Sequence, residues 1–206
     1  MGRVKAVQVS EKQEIISREP KLCVRDRIMH TASDLFYRQG IRAVGVETIA
    51  TEAGTNKMSF YRHFPSKDEL VAEYLRQEER EFLLWWDETL AAHAGAPRLQ
   101  VGSLFDALVR NTCEIDSRGC ALANAAVEIT ETNHPARPVI ENYKAEMRRR
   151  FRELARAMNA REPETLGDSL MLLWEGAYLA RVTLGQHGPV QGAAKAARAL
   201  IAAYTD

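Results

Sequence analysis

Apolar residues recur at three- and four-residue intervals along most of this chain. Ile28, Ala32, Leu35 and Phe36 mark one face of a helix that begins near Leu22, and Gly40 after Gln39 is its C-terminal stop. A short helix is predicted from about Val46 to Ala53. Another runs from about Lys57 to Phe64 and is closed by Pro65. Ser66-Lys67-Asp68-Glu69 is a capping box, with a hydroxyl for one exposed N–H and a glutamate three residues on to reach back. A long helix should start there, with no breaker before Gly95-Ala96-Pro97. Further helices are predicted near 98–115, 119–132, 136–160, 164–186 and 190–204. Asp116-Ser117-Arg118-Gly119, His134-Pro135, Glu162-Pro163 and Gly188-Pro189 separate them. No alternating run marks a strand, and no repeat is visible. The predicted class is all-α, with about nine helices. Residues 1–20, mixed polar and ending at Pro20, read as a mobile N-terminal arm.

The stretch IATEAGTNKMSFYRHF (49–64) breaks one helix and starts another within three residues. Two helices joined by a tight glycine turn form a helix-turn-helix, whose second helix can enter the DNA major groove. Ala50 is small where the helices would cross, and Gly54 suits a turn that needs positive φ. Ile49 and Ala53 form one inner face, Phe60 and Phe64 the other. Asn56 is a natural N-cap for the second helix. Lys57, Met58, Tyr61 and Arg62 then project outward, where a cation, a phenol and a guanidinium suit phosphates and base edges. The helix start near Thr55 to Ser59 favours an anion, and Lys67 is placed for a second phosphate. A plain helical hairpin with a solvated basic face is the bland alternative.

Charge sharpens this picture. The 206 residues carry 28 Lys+Arg and 28 Asp+Glu, so the whole chain is neutral. Residues 21–67, however, hold eight basic residues against four acids. That asymmetry implies a polyanion-facing part and a remainder with another task. Cys23, Cys113 and Cys120 are too few, and odd in number, for a disulfide framework, so a reducing cytoplasm is the expected compartment. Arg3 and Lys5 precede no apolar run, which argues against a signal peptide. FLLWW (82–86) and LMLLW (170–174) are far short of a membrane span.

The stretch GVETIATEAGTNKMSFYRHFPSKDEL resembles the N-terminal domain of TetR/AcrR-family transcriptional regulators, over about residues 24–75. Ile49-Ala50, Ala53-Gly54 and Phe60-Tyr61-Arg62-His63-Phe64-Pro65-Ser66-Lys67 carry the likeness. The resemblance implies a helix-turn-helix DNA-binding domain over 21–67 and a helical effector-binding and dimerisation domain over 68–206. It carries DNA contacts onto Thr55, Asn56, Lys57, Ser59, Tyr61, Arg62, His63 and Lys67. Gly45 departs from the family's usual Thr or Ser cap on the second helix, and Met58 from its usual small residue or Pro. His63 has two readings, a phosphate contact or a brace for the turn into Pro65. Metal binding there is not expected, because no second His or Cys lies three to five residues away.

By the same resemblance the body should hold an effector pocket. Candidate liners are Phe82, Trp85, Trp86, Phe105, Val109, Cys113, Asn124, Glu128, Tyr143, Met171, Trp174 and Tyr178, each with plain core packing as its alternative. Cys120 is expected in the first turn of a helix capped by Ser117, beside Arg118, where partial positive charge lowers a thiol pKa. Gly119-Cys120 also resembles a subgroup of the family with Gly-Cys at the start of the sixth helix, some of whose members sense electrophiles or oxidants. Packing beside Ala121 and Leu122 is the favoured reading. Leu166, Leu170, Leu173, Ala177 and Arg181 mark a face for dimerisation, with Ala193, Ala197, Leu200, Ile201 and Tyr204 of the last helix. Closing the monomer's own core is the alternative.

The expected protein is therefore a ligand-responsive repressor that binds palindromic double-stranded operator DNA as a homodimer and is released by a small molecule. No catalytic set, metal site, cofactor or membrane partner is expected. An activator, a redox- or electrophile-sensing regulator acting through Cys120, and a helical small-molecule enzyme are the alternatives.

Overall fold

The computed structural model describes residues 22–112, 118–185 and 187–205. The mobile-arm expectation for 1–20, the pocket residue Cys113 and the cap Ser117 lie outside these residues. Among them there are nine α-helices, one 3-10 turn and no strand.

Helix α1 (Val24–Gln39) follows an extended Cys23 and buries Ile28, Met29, Ala32, Leu35 and Phe36. Gly40, at φ +90°, ends it. Helices α2 (Val46–Glu52) and α3 (Lys57–His63) follow. Helix α4 (Lys67–Ala91) starts at Ser66, whose hydroxyl accepts a hydrogen bond from the Glu69 N–H at 3.1 Å. Its first turns bury Leu70, Val71 and Tyr74, and the Tyr74 ring lies 5.7 Å from Phe36 of α1. One helix thus serves both head and body.

The body comprises α5 (Pro97–Thr112), α6 (Ala121–Glu128), α7 (Ala136–Ala157), α8 (Pro163–Leu184), a 3-10 turn (Pro189–Gly192) and α9 (Ala193–Tyr204). Helix α6 is shorter than the pattern over 119–132 suggests. Cys120 is extended and serves as the N-cap residue instead of lying in the first turn, and Ile129 ends the helix.

Helices α7 and α8 are locked together. A Cβ on Gly167 would fall 2.6 Å from the Arg152 Cα, so only glycine permits this backbone approach. Asp168 accepts paired hydrogen bonds from both Arg148 (2.9 and 2.7 Å) and Arg152 (2.7 and 2.6 Å). Lys144–Glu175 at 2.7 Å and Arg156–Glu164 at 2.6 Å continue the ladder at either end. The two guanidinium groups hold the Asp168 carboxyl far below the usual carboxylate range.

The predicted dimerisation face turns inward. Leu166, Leu170, Ala177 and Arg181 of α8, and Ala193, Ala197 and Ile201 of α9, are buried within the monomer. Leu172, Leu179, Val182 and Leu184 are the exposed apolar residues of α8. The reason is compositional: the run LMLLW puts apolar residues on more than one side of this helix, so spacing there could not say which side faces the core.

Candidate nucleic-acid interface and effector core

The turn between α2 and α3 has the geometry its sequence implies. Gly54 adopts φ +63°, and the Thr55 N–H donates back to the Ala50 carbonyl at 2.9 Å. The Asn56 side-chain oxygen accepts from the Ser59 N–H at 2.9 Å, which starts α3 and satisfies one of its end groups. Phe60 and Phe64 are buried, their rings 5.9 Å apart, and the Tyr61 ring meets Phe60 edge-on at 5.3 Å. Helix α3 is thereby fixed in roll.

Its other side faces solvent. Lys57, Met58, Tyr61, Arg62 and His63 are exposed, with Met58 at 71% and Tyr61 at 47%. Thr55 and Ser59 are half-buried at the helix start. Among the described residues, neither Lys57 nor Arg62 takes part in an ion pair, whereas the arginines of α1 and the following loop are engaged. Arg25 pairs with Glu73 and lies 5.1 Å above the Phe64 ring. Arg38 pairs with Asp34 at 2.8 Å, and Arg42 with Glu131 at 3.1 Å. Arg27 donates to the carbonyls of Ala53 (3.0 Å) and Gly54 (3.4 Å), so it staples the turn to α1. The cations of α3 are thus open to an external anion.

Lys67 sits apart from that open face. It lines a cavity of about 280 Å³ at the seam of head and body, with Arg42, Asp68, Glu128 and His134. Burial lowers its pKa, opposed by Asp68 and Glu128.

The seam is tied at two points that sequence reasoning did not find. At one, the Arg118 N–H donates to the Tyr37 hydroxyl at 2.9 Å, and that hydroxyl donates to the Gly119 carbonyl at 3.3 Å. The Arg118 guanidinium donates to the carbonyls of Tyr37 (3.2 Å) and Arg38. At the other, the Glu128 carboxylate accepts from the Arg42 N–H at 3.0 Å, under Gly40, where a Cβ would stand 3.1 Å from it. The residues in each bond are some eighty or more positions apart, which periodicity cannot see.

In the body, eight rings form one cluster. Phe82, Trp85, Trp86, Phe105, Tyr143, Trp174 and Tyr178 were expected there, and Phe151 joins them. Their centroids lie 4.9 to 6.2 Å apart in touching pairs. Phe151 is eight residues after Tyr143, on the same face of α7, and that spacing was its sequence signal. Of the remaining candidate liners, Val109 and Met171 pack on the core margin. Asn124 donates to the Arg118 carbonyl at 2.9 Å, and Glu128 belongs to the seam. Cys120 is half-buried, with the Lys144 Nζ 3.9 Å from its Sγ. The Arg118 guanidinium is directed to α1 instead.

Glu78 is a further residue the sequence reading passed over. It stands on the α4 stripe between Tyr74 and Phe82 and is half-buried. Burial first, then the like charge of Glu81, pushes its pKa up to about 7. A raised acid is a penalty that is absent below the unfolded pKa near 4.5, grows as pH rises, and is complete above 7. Glu78→Gln removes the ionisation. Its gain in Tm over the parent is therefore expected to be larger at pH 8 than at pH 5, by thermal melts at both. An equal gain at both pH values counts against a penalised carboxylate.

A three-helix head with an outward, N-capped reading helix, mounted on a helical body, defines a helix-turn-helix DNA-binding regulator. The family model described as bacterial regulatory proteins, tetR family, matches residues 28–74. The HTH-type transcriptional repressor DhaR of Mycobacterium sp. (strain GP1) is 24% identical over 76% of this chain and 81% of its own length. The HTH-type transcriptional repressor KstR2 of Rhodococcus jostii (strain RHA1) is 31% identical over 63% of this chain and 60% of its own. The fold also matches the crystal structure of SCO4454, a TetR-family transcriptional regulator from Streptomyces coelicolor. That match has a TM-score of 0.84 and 24% identity, and covers 89% of this chain and 96% of that one. Residues 28–74 thus match the tetR family's DNA-binding domain, and the fold as a whole is that of solved TetR-family regulators.

Proposed function

We propose that this regulator is a cytoplasmic repressor that binds a palindromic operator as a homodimer and leaves it when a small molecule enters the body. The outward face of α3 carries the reading: Lys57, Tyr61 and Arg62 stand exposed on a helix whose roll is fixed by Phe60 and Phe64. Two heads related by a two-fold axis meet half-sites about one helical turn of DNA apart, or a multiple of it. The effector favours a head spacing that no longer fits, because it binds that state better.

The two-fold contact falls on the exposed side of α8. Leu172, Leu173, Gly176, Ala177 and Ala180 line an apolar groove of about 470 Å³ with Val190 and its neighbours at the start of α9. Small residues there allow close helix approach, and two helices from each subunit complete a four-helix bundle.

Operator selection with the purified protein, followed by a compound screen for release, tests the proposal. Selected sites should be inverted repeats. The double substitution Leu172→Glu/Leu179→Glu is expected to yield a folded monomer by analytical ultracentrifugation, with operator affinity lowered on the order of 100-fold or more. A dimer that survives both charges places the interface elsewhere.

A further inference from the structure

We infer that the effector is a bulky organic cation, bound with its charge at the Glu78 carboxylate and its apolar part against the aromatic cluster beginning at Phe82 and Trp85. The inference rests on the effector-responsive reading above and names the ligand's chemistry.

Helical geometry brings these groups together. Tyr74, Glu78 and Phe82 are successive four-residue steps on α4, and Trp85 is seven residues after Glu78, so the three rings lie within about 40° of Glu78 around the helix. Glu78 is the charged member of a stripe that is otherwise Leu70, Val71, Tyr74, Phe82, Trp85 and Trp86.

Four acids on α4, α7 and α8 each hold a cation. Glu175 has Lys144, Asp168 has Arg148 and Arg152, Glu146 has Arg149 and Arg150, and Asp87 has Arg150. Among the described residues, Glu78 has no cation and no side-chain hydrogen-bond partner, and its charged neighbour is another acid, Glu81. A carboxylate drawn from water without a partner is unfavourable, and its raised pKa expresses that. A bound cation supplies the missing partner.

The rings add to the same preference. Aromatic faces carry negative potential and attract a cation placed over them. Phe82, Trp85 and Tyr178 are half-exposed, and they lead inward to the buried Trp174. The chain already shows this chemistry once, in the same cluster. Lys144 Nζ lies 5.2 Å from the Tyr143 ring centre while Glu175 neutralises it at 2.7 Å. Glu78 and Phe82 offer a similar pairing of carboxylate and ring with the cation missing. An anionic guest would meet Glu78 and Glu81 as repulsion, and a neutral one would not offset the charge that Glu78 carries when ionised.

The test uses two near-isosteres of opposite charge, tetraphenylphosphonium and tetraphenylborate, on the full-length protein. All three tryptophans of the chain, Trp85, Trp86 and Trp174, lie in the cluster, so intrinsic fluorescence reports its occupancy. Tetraphenylphosphonium should quench saturably and bind at least 10-fold more tightly than tetraphenylborate. Glu78→Gln should weaken the phosphonium at least 10-fold and leave the borate equal or tighter. Glu81→Gln, at the exposed rim, should change phosphonium affinity less than threefold. Equal binding of the two ions, or phosphonium affinity unchanged in Glu78→Gln, overturns the inference. Release of operator by uncharged compounds alone also overturns it, while leaving the regulator reading intact. Failure to bind any operator overturns the regulator reading, yet phosphonium binding that depends on Glu78 would still uphold the cation site.

Discussion

Lys57→Ala/Arg62→Ala is expected to abolish specific operator binding at physiological salt while leaving the melting temperature unchanged. Both side chains are exposed and, among the described residues, outside any ion pair, so their removal takes little from the folded chain. A lost base or phosphate contact costs about 1–3 kcal/mol, and a dimer loses each twice. The combined loss is on the order of 100-fold at the least. Salt separates the two roles. Each neutralised phosphate contributes roughly −0.9 to the log–log slope of affinity against salt, so four lost phosphate contacts flatten it by about 3.6. If one residue reads a base, the flattening is about half that and sequence discrimination falls instead. Electrophoretic titrations at four or more salt concentrations decide. Unchanged affinity in the double variant removes α3 from the interface.

Trp174→Ala carries the largest expected effect on stability. This side chain is buried and meets six other rings, those of Phe82, Trp85, Trp86, Phe105, Phe151 and Tyr178. These come from four different helices, so no single helix can move in to fill the void. Removing a buried Trp costs about 3–5 kcal/mol. For a chain of this length that lowers Tm by roughly 6–20 °C. Calorimetry measures it, and a shift of less than about 3 °C would mean that the rings repack around the gap. The same variant should bind operator normally at low temperature, because the head has its own contacts through Phe60, Phe64 and Arg27.

The head was legible in the sequence because its determinants are local. A glycine at a turn, an Asn three residues before the N–H it caps, and two Phe four residues apart all act within one or two helical turns. The aromatic cluster was partly legible for the same reason. Its rings repeat at helical spacing on α4, α7 and α8, though spacing did not show that they would meet. What stayed hidden was set by relations between distant segments. Arg27 reaches carbonyls 26 and 27 residues away, and Arg42 reaches Glu128 86 residues away. Glu128 was among the candidate pocket liners, and only the fold shows it under Gly40. Leu166, Leu170 and Arg181 of α8 proved to be buried in the monomer, because the apolar run LMLLW puts leucines on both sides of that helix and spacing alone could not tell them apart.

The two ties at the seam make α6 a strut of set length. Its N-terminal end is held through Arg118 and Gly119 to Tyr37, and its C-terminal end through Glu128 to Arg42. Between them lie eight helical residues, about 12 Å at 1.5 Å per residue. The attitude of the reading head is thus written partly as a count of residues. One residue more or fewer in α6 turns Glu128 by about 100° away from Arg42 while leaving every contact within the head and the aromatic cluster in place. Relatives that keep each side chain of the joint but differ in this count would hold their heads at another angle. Their operators would differ in half-site spacing before they differed in base sequence.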